Sequence, residues 1–255
     1  MSDRQPDSDP GALVSRFVPS PNHGERRGGR RPDLLLLHYT GMATAEAALQ
    51  RLCDPAAEVS AHYLVMEDGA VVQLVPEDRR AHHAGLSSWA GETDINSCSI
   101  GIEIVNPGHD GGLPPYPDGQ IAAVIDLCRA IVEHWSIPKD RVLAHSDVAP
   151  ARKEDPGELF PWRRLAEAGI GHWVEPDDPS DTIILGPGET GPEIEALQDA
   201  LAFYGYGLAT TGIFDEATRQ VVTAFQRHFR PARLDGLVDA STLATLQTLI
   251  ETRAS

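Results

Sequence analysis

Leu34-Leu35-Leu36-Leu37 is apolar without a break and ends in His38-Tyr39-Thr40-Gly41. Such a run suits a central strand buried on both faces better than a strand with one wet face. Ala43–Cys53 follows as a helix, with Ala47, Ala48 and Leu52 near one face. Val59–Val75 divides into two strand-like runs around Glu67-Asp68-Gly69, and Asp-Gly is a strong hairpin signal. Ser99–Asn106 reads as a further strand that sets Glu103 among Ile100, Ile102, Ile104 and Val105. Burying an acid there is expensive unless it is paired or used. A Gly- and Pro-rich loop leads to Gln120–Trp135, where Ile121, Val124, Leu127, Cys128 and Ile131 recur at helical spacing. Arg141–Ala144 is a short buried strand that hands over to loop at His145. Strands alternating with helices predict an α/β fold, a mixed central sheet flanked by helices.

The character changes at Val174-Glu-Pro-Asp-Asp-Pro-Ser-Asp181, whose composition reads as a linker. Beyond it Gly212-Ile-Phe-Asp-Glu-Ala-Thr218 matches Gly236-Leu-Val-Asp-Ala-Ser-Thr242 at an offset of 24 residues. In each copy a glycine turn precedes an Asp placed to cap a helix. With the earlier helical spacing of Ile194, Leu197 and Leu201, this predicts a small three-helix module. It gathers no titratable cluster, so it is expected to bind rather than catalyse. The resulting division is a catalytic domain over 1–173, a linker over 174–180 and a helical domain over 181–255. Residues 1–14 are expected to be flexible, and the run Arg26-Arg27-Gly-Gly-Arg30-Arg31 is expected to be a solvated loop.

Composition narrows the partners. A net charge of -17 argues against nucleic acid or an anionic membrane surface. No run approaches a transmembrane span and no signal-peptide h-region follows the polar start, which favours the cytoplasm, with unconventional export to the periplasm or wall as the alternative. Cys53, Cys98 and Cys128 form no CxxC pair and are expected to be free, buried thiols.

The densest chemistry lies in Arg141–Gly157, which holds His145, Lys153 and Asp155. Two imidazoles and a carboxylate from His38, His145 and Asp155 would leave a fourth tetrahedral position open, as catalytic zinc requires. Glu103 is then the candidate acid/base, and Lys153 the candidate partner for an oxyanion. No HExxH helix is present, and the residues by themselves leave a zinc site and a metal-free cluster equally open.

Longer motifs narrow that choice. Leu-Leu-His38-Tyr-Thr-Gly, Ser60-Ala-His-Tyr-Leu-Val-x-x-Asp-Gly69, His83-Ala-Gly-x-Ser-Ser-Trp89, Asn96-x-x-Ser-Ile-Gly-Ile-Glu103 and His145-Ser-Asp-x-Ala-Pro-x-Arg-Lys-x-Asp-Pro-Gly157 occur in order. Together they resemble the zinc-dependent type 2 N-acetylmuramoyl-L-alanine amidases, relatives of the peptidoglycan recognition proteins. The resemblance implies one zinc ion held by His38, His145 and Asp155, with Glu103 as acid/base and Lys153 as transition-state stabiliser. It adds Tyr39, His62, His83, Trp89 and Asn96 as candidate substrate contacts. The implied reaction is hydrolysis of the amide between N-acetylmuramic acid, or its 1,6-anhydro form, and L-alanine in peptidoglycan or muropeptides. The alternative is a non-catalytic wall-sensing protein. His82 stands where tryptophan is common in this family, and Ala90 and Glu92 where basic residues are common. The module, through Leu197-Gln198, Tyr204-Gly-Tyr206, Thr211-Gly-x-Phe-Asp215 and Phe225-Gln226, resembles the three-helix peptidoglycan-binding domain.

Overall fold

The computed structural model describes residues 10–176 and 182–253. Residues 1–9 of the expected flexible start and 177–180 of the expected linker lie outside the described residues. In chain order the strands are β1 (Arg16–Phe17), β2 (His23–Glu25), β3 (Leu34–Tyr39), β4 (Tyr63–Val65), β5 (Val71–Gln73), β6 (Arg79–Ala81), β7 (Ser99–Ile104), β8 (Val142–Ala144), β9 (Ile183–Leu185) and β10 (Val238–Asp239). The helices are α1 (Ala45–Cys53), α2 (Ile95–Cys98), α3 (Asp118–Trp135), α4 (His145–Val148), α5 (Trp162–Glu167), α6 (Pro192–Tyr204), α7 (Glu216–Phe229) and α8 (Ala240–Thr252).

Six strands make the central sheet in the order β1-β5-β4-β7-β3-β8. β3 runs parallel to both β7 and β8, β7 runs parallel to β4, and β4–β5 is the antiparallel hairpin turned at Gly69. The unbroken leucine run of β3 is explained by its two neighbours and its two faces. Leu35 and Leu37 join Ile100, Ile102 and Ile104 beneath α3, while Leu34 and Leu36 face the opposite layer. All four leucines are fully buried. That opposite layer has two parts. α1 covers Leu64 and Val72 at the β4–β5 side, and the C-terminal helices cover Leu34, Leu36 and Leu143 at the β3–β8 side.

The start of the chain departs from expectation. β1 pairs with β5, and β2 pairs with β6. Arg26 is not solvated: it is buried and donates to the carbonyls of Glu77, Ser97 and Ser99. A guanidinium has five donors and no acceptor, so a pocket of carbonyls can hold it where local sequence shows only an arginine cluster. Burial lowers its pKa to about 10.

The C-terminal repeat has the expected form. Gly212 and Gly236 both take left-handed φ, and Asp215 and Asp239 accept from the backbone N–H of Thr218 and Thr242 to cap α7 and α8. Each glycine N–H is also bound by a buried glutamine of the preceding helix, Gln198 or Gln226. This module is not packed by itself. Trp89, Ala84, Leu143 and Val148 share one apolar cluster with Tyr204, Tyr206, Phe225 and Phe229, so the two parts have a common core. Among the described residues, no helix is long and apolar enough to cross a membrane.

The two caps differ in what else they hold. Asp215 is exposed, whereas Asp239 is fully buried and pairs with the equally enclosed Arg230. Asp215→Ala is expected to cost about 1 kcal/mol, the usual value of a lost cap. Asp239→Ala also strands a buried guanidinium and is expected to cost about 3–5 kcal/mol. Urea unfolding of both variants checks this, and equal losses would show that the Arg230 pair contributes nothing.

Candidate active site

His38 and Glu103 are register partners on the parallel strands β3 and β7, so their side chains leave the same face side by side. β8 ends one residue before His145, which opens the single turn α4 at the same edge of that face. The loop that follows folds back on this turn: Ser146 N–H donates to the Asp155 carbonyl at 3.1 Å, and Lys153 N–H to the Ala149 carbonyl at 3.1 Å. Asp155 and Lys153 are thereby brought to the two histidines. A cleft between α1 and the loop is lined by His38, Tyr39, Glu103, His145, Lys153 and Asp155.

Three donor atoms converge. His38 Nδ1, His145 Nδ1 and Asp155 Oδ2 lie 2.9 Å from one another, pair by pair. All three residues are buried. The far side of each imidazole is engaged: His38 Nε2–H donates to His83 Nδ1 at 3.1 Å, and His145 Nε2–H to the Ala84 carbonyl at 3.0 Å. Fixing the proton on Nε2 leaves the Nδ1 lone pairs aimed at the shared point, the arrangement that metal-binding histidines use. Burial, then His145, lowers the His38 pKa to about 4, which keeps the ring neutral and able to ligate. Burial would raise Asp155, but His145 and His38 hold it well below the usual carboxylate range. Donor types, burial and directed lone pairs all fit a metal ion with nitrogen and oxygen ligands.

Glu103 is in the opposite electrostatic state. Its Oε2 is buried without a hydrogen-bond partner. Burial, then the Asp155 charge, push its pKa well above the ordinary value, and Lys153 draws it part of the way back. A carboxylate with an idle oxygen beside a cleft is available to take up a proton.

The remaining candidates divide. Tyr39 lines the cleft, with its hydroxyl against His109 Nδ1 at 3.0 Å. His83 touches the cleft, but both its ring nitrogens are committed: Nδ1 to His38 and Nε2–H to Ser99 Oγ, whose hydroxyl passes on to the Ile95 carbonyl. It holds the His38 ring in place with one nitrogen and rests on Ser99 with the other. Asn96 is buried and its carboxamide oxygen accepts from the N–H groups of His83 and Ala84, so it shapes the loop behind His38 and His145. His62 is fully buried, accepting from Gly101 N–H and lying against Arg26 and the Arg79 carbonyl. Trp89 is also fully buried, edge-on to Tyr204 and Tyr206 beneath the C-terminal module. Chain folded over His62 and Trp89 encloses both, and neither lines the cleft. Reasoning from sequence missed Ser99 and the Ala84 carbonyl, and a backbone acceptor leaves no signal in residue types.

The geometry agrees with the comparisons. A family model described as N-acetylmuramoyl-L-alanine amidase matches residues 28–158. The chain belongs to this amidase family. A second family model, of a peptidoglycan binding domain, matches residues 190–246. Among curated relatives, N-acetylmuramoyl-L-alanine amidase AmiD of Escherichia coli K12 is 37% identical over 87% of this chain and 83% of its own length. The 1,6-anhydro-N-acetylmuramyl-L-alanine amidase AmpD of Enterobacter cloacae is 36% identical over 59% of this chain and 88% of its own. Two solved structures follow both parts of the chain. AmiD of E. coli in complex with the substrate anhydro-N-acetylmuramic acid-L-Ala-D-gamma-Glu-L-Lys superposes with a TM-score of 0.74, covering 87% of this chain and 89% of that one. AmpDh3 of Pseudomonas aeruginosa superposes at 0.75 with 32% identity, covering 90% and 95%.

Gly101 offers a test of the His83–His38 relay in this amidase. A Cβ at Gly101 would meet the His83 ring at 2.5 Å, and the backbone there is ordinary strand. Gly101→Ala is therefore expected to displace His83, leave β7 paired, and weaken metal binding about 10- to 100-fold, the usual effect of losing a partner behind a ligand. Competition with a chromophoric chelator measures it. Unchanged affinity would mean that His38 needs no orienting partner.

Proposed function

We propose that this chain hydrolyses the amide between N-acetylmuramic acid, or its 1,6-anhydro form, and the L-alanine of the stem peptide, and that His38, His145 and Asp155 hold a zinc ion for the reaction. The observation that carries the reading is the buried, unpartnered Glu103 Oε2 beside three convergent ligand atoms. Structural metal sites close their fourth position and need no such neighbour. The donor set of two imidazole nitrogens and one carboxylate suits zinc and leaves one position open. When bound, zinc supplies a Lewis acid and lowers the pKa of water from about 15.7 to about 7.

The residues supply the rest. Glu103 takes up the proton of the attacking water and returns it to the leaving nitrogen, which must be protonated before the carbon–nitrogen bond can break. Its raised pKa suits both halves of that exchange, because a carboxylate of ordinary pKa holds a proton too weakly to deliver it. Lys153 lines the same cleft, and its ammonium offsets the negative charge that gathers on the carbonyl oxygen. Tyr39 borders the substrate side. The C-terminal module, by its family match, holds the enzyme on peptidoglycan.

Glu103→Gln separates binding from turnover. The amide is nearly isosteric, so β7 and the ligands stay in place, yet it cannot accept the proton. Activity on intact sacculi and on soluble anhydromuropeptides, read by mass analysis of released stem peptides, is expected to fall about 10²- to 10⁴-fold with zinc retained. Near wild-type release from a zinc-loaded variant would remove Glu103 from the reaction.

A further inference from the structure

The single turn α4 carries His145 in its first position, and one turn of four residues has no stability of its own. Asp147, in its third position, holds it. That carboxylate is fully buried and, among the described residues, meets no lysine or arginine in a salt bridge; three donors satisfy it instead. Ala144 N–H donates to Oδ2 at 2.8 Å, closing the turn on the last residue of β8. The Tyr206 hydroxyl donates to Oδ1 at 2.8 Å, and His228 Nδ1–H donates to Oδ2 at 2.6 Å. Two of the three donors thus come from the C-terminal module, 59 and 81 residues further along the chain. A buried carboxylate short of its donors pulls in water or moves towards it, and here movement would take His145 along.

The insertion of these two residues is firm. His228 stacks on Trp162, the first residue of α5, at 3.8 Å between ring centres. Tyr206 lies edge-on to Trp89, with Ala90 N–H donating to the Gly205 carbonyl at 2.7 Å. Beside His228, Arg227 reaches the other arm of the site. It pairs with Glu154, which stands between Lys153 and Asp155, and with Glu158, which holds His109 and through it the Tyr39 hydroxyl.

We infer that the C-terminal module is a working part of the metal site, with Tyr206 and His228 as positioning residues that fix His145 through Asp147. This rests on the reading of His38, His145 and Asp155 as metal ligands. Its consequence is that wall attachment and metal affinity are coupled in one body, so the module cannot be exchanged as a simple tether.

Point variants test this more cleanly than truncation, which would expose the shared apolar cluster. Tyr206→Phe keeps the ring and removes only the hydroxyl. His228→Phe keeps the stack and removes the donor, and His228→Asn returns a donor near the position of Nδ1. Tyr204→Phe is the control, since its hydroxyl lies in the same interface but bonds to His172. Zinc dissociation constants come from chelator competition on full-length protein, with the absorption bands of the cobalt-substituted form reporting ligand geometry. Tyr206→Phe and His228→Phe are each expected to weaken zinc about tenfold, the lower end for partners behind a ligand, and to shift the cobalt bands. His228→Asn should recover part of the loss, and Tyr204→Phe should match the wild type. Wild-type affinity and bands in all variants, or an equal loss in Tyr204→Phe, overturn the inference alone. A wild type that binds no zinc overturns the metal-site reading and this inference with it.

Discussion

The pairing of β3 with β7 is the constraint on which the site depends. In the observed register Leu36 lies beside Gly101 and His38 beside Glu103. Side chains alternate with a period of two, so sliding β7 by one residue would turn Glu103 into the α3 core and bring an isoleucine to the cleft. Two features lock that register. The isoleucines of β7 and the odd leucines of β3 fill one cluster under α3, which a slip would fill with a carboxylate. At Gly101 the His83 ring lies directly on the strand, where a Cβ would stand 2.5 Å from it. The hydrophobic core thus specifies how His38 stands beside Glu103 without either group being apolar.

The second organising fact is that the sheet has no finished face at its β3–β8 side until the C-terminal helices arrive. Leu34, Leu36 and Leu143 need a cover, and the described cover is made of Tyr204, Tyr206, Phe225 and Phe229 with Trp89 between. Gly205 shows how close the approach is, because a Cβ there would lie 2.5 Å from the Trp89 indole. Interfaces between independent domains are commonly more polar and smaller relative to the units they join. This one resembles a core divided in sequence. The Pro- and Asp-rich stretch after Val174 suggests separability by composition, yet Trp173 and Val174 themselves pack against that cluster.

Local features were legible. An unbroken leucine run, an Asp-Gly turn, helical spacing and two Gly-x-x-Asp caps each express their physics within a few residues, and each element stands where its pattern put it. Glu103 stood out as a titratable group set among apolar residues, costly unless used, whereas the grouping of His38, His145 and Asp155 was left open by the residues alone and implied by the longer motifs. What sequence hid was nonlocal. Arg26 looked like one of four surface arginines, because its acceptors are carbonyls 51 to 73 residues away. Trp89 was a candidate substrate contact, because nothing near it in sequence announces the tyrosines that bury it. His62 and His83 have the same residue type and similar motifs, and only the fold separates a ring locked beside Arg26 from one that orients a ligand.

The site also concentrates groups that folding alone would avoid. His38 Nδ1, His145 Nδ1 and Asp155 Oδ2 crowd to 2.9 Å, and Glu103 is held beside the Asp155 charge with an idle oxygen. Each arrangement opposes stability, and together they mark where local consistency has yielded to chemistry. Such strain persists only where the surroundings leave no room to relax. Here the surroundings are Gly101 with the His83–Ser99–Ile95 relay behind His38, the Ala84 carbonyl behind His145, and Asp147 gripped from the module. His38 and Glu103 are set by the register of the sheet, but His145 stands on a one-turn helix past the end of an edge strand only three residues long. Of the two histidines it is the one less constrained by β structure, and it is the one that the second half of the chain secures.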